Sequence, residues 1–265
     1  MAIINFRKTD FLPAQEPFSA LEKKVIITVD GPAASGKGTL AKKLADRMGY
    51  AYLDTGALYR AVAMATLEIG GDPSFYADVA PALDIIRRNL TAELLANPSL
   101  RTPEVSEAAS KVATHPEVRQ ALLDYQRHFA HNPPDYVGGT VLDGRDIGTV
   151  VCPDADIKLF ITASVEERAK RRFTELAATR SDVTFDKVLS DLKARDERDS
   201  TRKVAPTLAA EDAYILDTTG LNPSETLEEA IAVIRAKFLS ETNDNGNAVA
   251  NTGTKPVAAP QKNAV

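Results

Sequence analysis

The residues of the sequence that are best suited to chemistry form a glycine-rich loop. The loop consists of Gly31, Pro32, Ala33, Ala34, Ser35, Gly36, Lys37, Gly38 and Thr39. Glycines allow the backbone N–H groups to turn toward phosphate oxygens, and the N-terminus of a following helix adds positive potential. Lys37 can reach the β- and γ-phosphates of a nucleotide. The spacing therefore predicts a binding site for a nucleoside triphosphate.

The neighbouring residues support this prediction. Residues 25–29 form a short, apolar, β-branched run that is typical of a buried parallel strand, and apolar residues recur at helical spacing after the loop. In the more usual loop a serine or threonine follows the lysine and binds Mg²⁺, whereas here Gly38 follows the lysine and the Thr39 hydroxyl stands one place later. The loop alone does not distinguish a kinase from a GTPase, an ATPase or a switch. A GTPase is disfavoured because no Asn-Lys-x-Asp segment follows a strand.

Strand-like and helix-like segments alternate along the chain, which favours an α/β domain with a parallel sheet. The predicted strands cover residues 25–29, 50–53, 140–143, 157–161 and 214–216. Residues 72–102 contain Pro73, Pro81 and Pro98 and predict short helices in a small subdomain. We expect residues 1–23 to form a flexible extension. Residues 241–265 predict a disordered tail, because their composition cannot bury enough apolar surface.

The composition disfavours several classes of protein. The chain has 265 residues, a formal net charge of −5 and a single cysteine, Cys152, which excludes a disulfide framework. An acidic chain is a poor candidate for nucleic-acid binding through bulk charge. No run approaches the roughly 20 apolar residues of a membrane span. We therefore expect a cytoplasmic protein that binds neither nucleic acid nor membranes. We also expect a monomer, although the composition does not determine the oligomeric state.

Arginines supply the charge that a phosphate chemistry needs, because a planar guanidinium matches phosphate oxygens. Arg168, Arg171 and Arg172 share one face of a predicted helix. Two interpretations stay open for them: contact with a migrating phosphoryl group, or a solvated basic helix paired with its own acids. The first is favoured for Arg171 and Arg172, and the second for Arg168.

Four segments together resemble one known family. They are GPAASGKGT (31–39), YLDTGALYR (52–60), DGRDIGTVVCPDADIKLF (143–160) and RDERDSTRKVAP (195–206). Their content and order are similar to those of the bacterial cytidylate kinases, which are P-loop kinases of nucleoside monophosphates, over about residues 25–239. The resemblance implies a kinase domain over residues 24–240 with a five-stranded parallel sheet flanked by helices. It also implies a small monophosphate-binding insert at about 70–103 and a mobile lid at about 168–204.

The resemblance further implies a reaction, namely transfer of the γ-phosphoryl group of ATP to CMP or dCMP, with Mg²⁺ bound to ATP. Lys37, Arg171 and Arg172 are the implied catalytic residues, and the glycine-rich loop is the implied ATP site. The implied CMP-binding residues are Thr55, Tyr59, Arg60, Ser110, Arg119, Arg145, Asp146, Arg195, Asp199 and Arg202. Two alternatives are disfavoured by these residues. One is a P-loop kinase for another small acceptor, and the other is a nucleotide sensor without catalytic activity.

The implied roles divide the acceptor nucleotide into three parts. Arg60, Arg145 and Arg195 hold the CMP phosphate. Asp146, Ser110 and Arg119 recognise cytosine, because a carboxylate accepts a hydrogen bond from the N4 amine and repels O4 of uracil. Asp199 contacts the sugar hydroxyls, Tyr59 forms a wall of the pocket, Thr55 supplies a hydroxyl, and Arg202 completes the site.

The roles of two further acids stay open, and two aromatic residues are expected in the core. Asp143 and Asp30 follow strands, and each has two open interpretations: it organises Mg²⁺ through water, or it is a structural acid. No residue is assigned as a direct metal ligand. Tyr125 and Phe129 lie four residues apart and predict a contact with the core.

Overall fold

The computed structural model describes residues 24–178 and 180–250. The predicted N-terminal extension, residues 1–23, therefore lies outside the described residues, as does the part of the predicted tail from residue 251 onward.

A five-stranded parallel sheet forms the centre of the described chain, as predicted. The strands are β1 (Val25–Asp30), β2 (Ala51–Asp54), β3 (Gly139–Gly144), β4 (Ile157–Thr162) and β5 (Tyr214–Asp217), in the order β2-β3-β1-β4-β5. Every residue of β1 and β3 is buried, which is expected of inner parallel strands covered on both faces. The register pairs Asp30 with Gly144 and Asp54 with Asp143, so the carboxyl ends of β1, β2 and β3 meet at one edge.

Nine helices are described in residues 24–178 and 180–250 in addition to short turns. They are α1 (Lys37–Met48), α2 (Thr55–Glu68), α3 (Tyr76–Asn89), α4 (Ala92–Ala96), α5 (Pro103–Val112), α6 (Pro116–His131), α7 (Val165–Ala177), α8 (Phe185–Thr201) and α9 (Pro223–Ala250). A 3₁₀ turn covers Pro98–Arg101, and a π-helical turn covers Ile147–Val151. Side chains of Asp54, Thr102, Ser164 and Thr184 accept N–H bonds at the starts of α2, α5, α7 and α8.

The predicted insert packs against α2 and α5 through one apolar cluster that includes Leu58, Val62, Val79 and Leu83. The prediction of only short helices in residues 72–102 is wrong in one respect, because α3 has 14 residues and continues through Pro81. A proline inside a helix removes one backbone bond. Burial of the apolar face of α3 against α2 offsets that cost, so tertiary packing overrides the local signal.

The predicted lid region consists of α7 and α8, which pack on each other through Ala169, Val188 and Leu192. The same cluster includes Ala33 of the glycine-rich loop, so the helix pair rests directly on that loop. Movement of this region stays a prediction.

The last helix corrects the boundary of the predicted tail. α9 runs from Pro223 through Ala250, so residues 241–250, which the composition assigns to the disordered tail, are helical. Extension of an existing helix needs no new nucleus, which allows it to continue through poor helix formers. Although α9 has 28 residues, neither it nor another helix of the described chain combines the length and apolar character needed to cross a membrane.

Candidate active site

A cavity of about 1110 Å³ opens at the carboxyl ends of β1, β2 and β3. The glycine-rich loop, the start of α2 and the residues after β3 line it together with side chains of α5, α7 and α8. Ligands of open α/β sheets bind in crevices of this kind. The cavity therefore joins the predicted triphosphate site to most of the arginines singled out in the sequence.

The glycine-rich loop folds tightly between β1 and α1. A Cβ at Gly31 would lie 2.1 Å from the carbonyl oxygen of Ile161, so no other residue fits there without a shift of the backbone. Ala34 and Gly36 adopt left-handed conformations, with φ of 58° and 87°. Such a succession of turns exposes backbone N–H groups on one side, which suits a phosphate.

Lys37 opens α1 and points back across the loop, where its Nζ donates to the carbonyl oxygen of Pro32 over 3.2 Å. Only 8% of the residue is exposed. Burial, followed by the charge of Arg145, lowers the pKa of Lys37 to about 7, although Asp143 opposes this shift. An incoming polyphosphate would supply the negative charge that stabilises the ammonium group.

Asp143 lies beside the loop, and its carboxylate accepts from the Tyr52 hydroxyl over 3.0 Å. A Cβ on Gly38 would lie 3.1 Å from Asp143 Oδ2, so the absence of a side chain at position 38 keeps this oxygen accessible from the loop. Burial and the charge of Asp54 raise the pKa of Asp143 to about 6. Of the two acids considered for Mg²⁺, this one lines the cavity together with Thr39.

Asp30 has the structural arrangement instead. Its two carboxylate oxygens accept from the backbone N–H groups of Ile147 and Gly148, over 2.9 and 2.8 Å. Burial raises the pKa of Asp30 to about 7, while these two bonds act in the opposite direction. The carboxylate is thus committed to the backbone after β3.

The arginines assigned to the CMP phosphate converge on the cavity. Arg60 pairs with Asp54 over 2.6 Å, and Arg145 donates to Asp199 over 3.2 Å. Among the described side chains, the Nε atoms of Arg60 and Arg195 are buried without a hydrogen-bond partner. Burial and the neighbouring charge of Arg145 lower the pKa of Arg195 to about 10. Arg195 Nε lies 3.8 Å from Asp199 Oδ2, which is an ion pair without a hydrogen bond, so these guanidinium groups keep hydrogen-bonding capacity that an anion could use.

Two of the three residues assigned to cytosine, Asp146 and Arg119, form a compact group with Arg202 and Tyr59, whereas Ser110 bonds to Asp199. One carboxylate oxygen accepts from Arg119, and the other accepts from Arg202 over 3.5 Å. The Arg119 guanidinium lies over the ring of Tyr59, with 5.4 Å to the ring centroid. Arg202 also donates to the carbonyl oxygen of Ala205 over 2.6 Å. The arrangement places a fixed carboxylate and two guanidinium groups at one end of the cavity.

A second polar group connects α5 with α8. The Ser110 hydroxyl donates to Asp199 over 2.9 Å and accepts from Arg198, also over 2.9 Å. Burial raises the pKa of Asp199, but the charges of Arg145, Arg195 and Arg202 outweigh it and hold the pKa below its usual value. Asp199 is therefore an ionised acceptor at the contact between α5 and α8.

Two of the assigned residues have their polar groups engaged within the protein. The buried Thr55 hydroxyl donates to the carbonyl oxygen of Asp143 over 2.7 Å, which ties the start of α2 to the end of β3. Arg172 pairs with Glu175 over 2.8 Å at the rim of the cavity. Their contacts with substrates stay predictions.

The arginines of α7 separate into two kinds. Arg171 lines the cavity and donates to Thr218 and, over 3.5 Å, to the carbonyl oxygen of Ser35 in the loop. Arg168 is buried, donates to the carbonyl oxygens of Ala163 and Ala33, and pairs with Asp196 over 2.7 Å. These contacts agree with the interpretation of Arg168 as a structural residue.

Comparison with known proteins decides the family. Residues 27–236 match the family model described as cytidylate kinase. The chain belongs to the cytidylate kinase family. The cytidylate kinase of Paramagnetospirillum magneticum is 52% identical over 212 residues, covering 80% of this chain and 98% of that protein. That of Rhodospirillum rubrum is 52% identical over 213 residues, covering 80% and 98%. That of Granulibacter bethesdensis is 51% identical over 215 residues, covering 81% and 99%.

Several cavity residues of this cytidylate kinase family member were not assigned from the sequence. Asp54 binds Arg60 and also accepts from Arg101 over 3.2 Å. Tyr125, which the spacing places in the core, is 37% exposed and lines the cavity, so that prediction is wrong for Tyr125. A side-chain period identifies a helix face but not whether a cavity lies against it. The position of Asp54 at the end of β2 was the one usable signal.

Arg168→Met tests the division between the arginines of α7. We expect the free energy of unfolding to fall by about 2 kcal/mol, because Asp196 and two carbonyl oxygens lose a charged donor. Phosphoryl transfer by the folded fraction should change little. Chemical denaturation and initial rates measure both, with exposed Lys170→Met on the same helix as the control. A large loss of turnover at unchanged stability would instead make Arg168 a catalytic residue.

Proposed function

We propose that the protein transfers the γ-phosphoryl group of ATP to CMP or dCMP and releases ADP with CDP or dCDP. The observation that carries the proposal is one continuous cavity that links the glycine-rich loop, the three arginines Arg60, Arg145 and Arg195, and the group around Asp146. Membership of the cytidylate kinase family supports the same reaction. The enzyme would thus belong to pyrimidine nucleotide metabolism.

The glycine-rich loop is the proposed donor site. Its backbone N–H groups and the start of α1 surround the β- and γ-phosphates of ATP, and Lys37 neutralises their charge. Arg171 and Arg172 of α7 line the same cavity, and Arg171 contacts the loop through the carbonyl oxygen of Ser35. Charge neutralisation matters most here, because the transferred group carries its charge through the transition state.

Magnesium fits the oxygen donors beside this loop. The Thr39 hydroxyl and the Asp143 carboxylate both line the cavity, and Mg²⁺ prefers such ligands together with water and phosphate oxygens. We propose that these two residues hold the ion, Asp143 acting directly or through water. The ion supplies charge neutralisation between the β- and γ-phosphates when it is bound.

The acceptor phosphate is proposed to bind Arg60, Arg145 and Arg195. All three arginines line the cavity, where Arg60 is paired with Asp54, and Arg145 and Arg195 with Asp199. Burial and then the positive charge of Arg145 lower the pKa of Arg195, so a phosphate would supply negative charge that these guanidinium groups lack. An acceptor phosphate oxygen is already anionic, so no general base is required. Orientation and exclusion of water by α7 and α8 then account for most of the catalysis.

Cytosine is proposed to bind at Asp146, with its N4 amine donating to the carboxylate and its O2 and N3 accepting from Arg119. Arg202 and Ser110 border the same region, and Tyr59 forms its wall. Asp199 is the proposed partner of the ribose hydroxyls. Uracil would place its O4 acceptor against the Asp146 carboxylate. The carboxylate has no proton to donate to O4, and its negative charge repels that oxygen.

A panel of acceptors tests this function directly. Initial rates with ATP are measured in a coupled assay for CMP, dCMP, UMP, AMP and shikimate. We expect CMP and dCMP to be the best acceptors and UMP to be poorer by roughly 10²-fold or more, because a mismatched polar edge leaves buried groups unpaired. Preferred turnover of UMP, AMP or shikimate would contradict the assignment of the base site and favour another P-loop kinase.

We also propose that the enzyme works as a cytoplasmic monomer on these small molecules alone. The net charge of −5 disfavours binding to nucleic acid or to anionic lipid. Size-exclusion chromatography with light scattering tests the oligomeric state, and a dimer mass would contradict this part of the proposal.

A further inference from the structure

Asp30 is a buried acid that neither the proposed donor site nor the proposed acceptor site uses. It ends β1, one residue before the glycine-rich loop, and it is almost inaccessible to solvent. Its side chain does not line the main cavity but turns toward the π-helical turn after β3, where Ile147 and Gly148 donate to it. The two N–H···O distances, 2.9 and 2.8 Å, are those of well-formed bonds.

The first of these bonds acts on the backbone of Asp146 itself. The N–H of Ile147 belongs to the same rigid peptide unit as the carbonyl group of Asp146, so fixing that N–H fixes the plane attached to the Asp146 Cα. The carbonyl oxygen of the same unit accepts from Val150 over 2.9 Å. The peptide after Asp146 is thus held at both of its polar ends, and the direction of the Asp146 side chain depends on it.

Arg127 anchors the far end of this turn by donating to the carbonyl oxygens of Val150 and Val151, whereas the near end is held by Asp30. A Cβ on Gly148 would lie 2.9 Å from the Thr28 hydroxyl oxygen and 3.2 Å from Lys158 Cδ, so the backbone approaches β1 and β4 directly. The Thr28 hydroxyl has no hydrogen-bond partner among the described atoms. The Asp30 carboxylate therefore supplies the bonds that hold Ile147 and Gly148 against the sheet.

We propose that Asp30 is a positioning residue for recognition of the acceptor base, acting on Asp146 through the N–H groups of Ile147 and Gly148. This inference rests on the proposed function, because it assigns a purpose to the orientation of Asp146. Asp30 is also continuous in sequence with the glycine-rich loop. The same short segment of β1 thus supports the donor loop through its backbone and the base site through its side chain.

Asp30→Asn is the variant that tests this role. An asparagine retains one acceptor oxygen but directs an NH₂ group at one of the two N–H donors, so one bond is replaced by a donor–donor contact. We expect the KM for CMP to rise about tenfold or more and the preference for CMP over UMP to narrow by a similar factor. The KM for ATP and the kcat at saturating CMP should stay within about twofold of wild type.

Asp156→Asn is the matched control. The Asp156 carboxylate accepts from the N–H of Ile26 over 2.8 Å, which is the same kind of bond on the same strand but near its other end. If Asp30→Asn acted only by destabilising the strand, both variants would change the CMP:UMP preference by the same factor. Asp156→Asn should therefore lower the thermal midpoint without changing the CMP:UMP preference. Equal preferences in the two variants would overturn the inference.

A double-mutant cycle gives a second test. If Asp30 acts through Asp146, Asp30→Asn should have little further effect on the CMP:UMP preference once Asp146 is replaced by Asn. Additive effects would show that Asp30 acts elsewhere. If Asp30→Asn does not accumulate as folded protein, Asp30→Ser takes its place, since the smaller side chain leaves room for a bridging water.

The wild-type protein provides a test that no folding defect can obscure. In the ligand-free enzyme the amides of Ile147 and Gly148 should already be protected against hydrogen exchange, and rapid exchange of both would overturn the inference. The acceptor panel separates the two levels of the argument. A wild-type enzyme that rejects CMP removes the proposed function, whereas a CMP kinase whose Asp30→Asn variant retains its preference removes only the role of Asp30.

Discussion

Replacement of Lys37 by methionine is expected to lower kcat for CMP by at least about 10²-fold, because a cation that neutralises the transferred phosphate is lost. The folded state should not suffer. Lys37 is buried beside Arg145, and these surroundings hold its pKa at about 7, far below the value of an exposed lysine. Methionine has a similar length and carries no charge, so it removes a desolvation penalty. Activity and stability should therefore change in opposite directions.

The pH dependence of this stabilisation follows from the direction of the pKa shift. The unfolded chain keeps Lys37 protonated up to about pH 10.5, whereas the native state releases this proton near pH 7. Between these values the unfolded state binds more protons, so the wild type gains stability as the pH rises. The advantage of Lys37→Met should thus be full below pH 7 and shrink from pH 7 toward pH 10.5.

Denaturant titrations of the wild type and Lys37→Met at pH 6.5 and pH 9, with initial rates at each pH, measure both effects. Lys43→Met is the control, because Lys43 lies on the same helix but outside the residues that line the cavity. Turnover by Lys37→Met within tenfold of wild type would contradict the assigned role. If the stability advantage of Lys37→Met over the wild type grew above pH 7, it would contradict the burial of the Lys37 ammonium group.

The fold could be predicted largely from local signals. Each strand is a short apolar run, and alternation with helical periods requires parallel connections. The errors arose where distant packing decides. Pro81 argues locally against a long helix, yet the contact of α3 with α2 outweighs it. Tyr125 and Phe129 share a face of α6 and both line the cavity, but only Phe129 also packs against the core, which the spacing alone could not show.

The candidate site divides in the same way. The glycine-rich loop could be recognised because its chemistry is contained in nine consecutive residues. The partners within the acceptor site could not, since Ser110 and Asp199 are separated by 89 positions and Arg119 and Asp146 by 27. The commitment of Asp30 to the backbone at Ile147 depends on the register of β1 with β3. Such pairings exist only after the sheet has formed.

Asp146→Asn is expected to lower kcat/KM for CMP by roughly 10²-fold, since a charge-assisted acceptor becomes a neutral amide that also carries donors. UMP should lose much less, because the amide NH₂ can donate to O4 of uracil and the repulsion by a carboxylate is gone. The KM for ATP should stay unchanged, as the loop lies at the other end of the cavity. The preference for CMP over UMP is therefore the quantity that responds most.

The substitution also breaks an ion pair that is nearly inaccessible, with 8% of the Arg119 side chain and 7% of the Asp146 side chain exposed. Removing one partner of such a pair costs about 3 kcal/mol. Asp212→Asn is the control for loss of a carboxylate from a buried cation, Lys158, although the Asp212 side chain is 65% exposed and its removal should cost less stability. Both variants should lower the midpoint of thermal unfolding, but Asp212→Asn should retain the preference for CMP. An equal fall of kcat/KM for CMP and UMP in Asp146→Asn would show that Asp146 holds Arg119 and Arg202 in place without contacting the base.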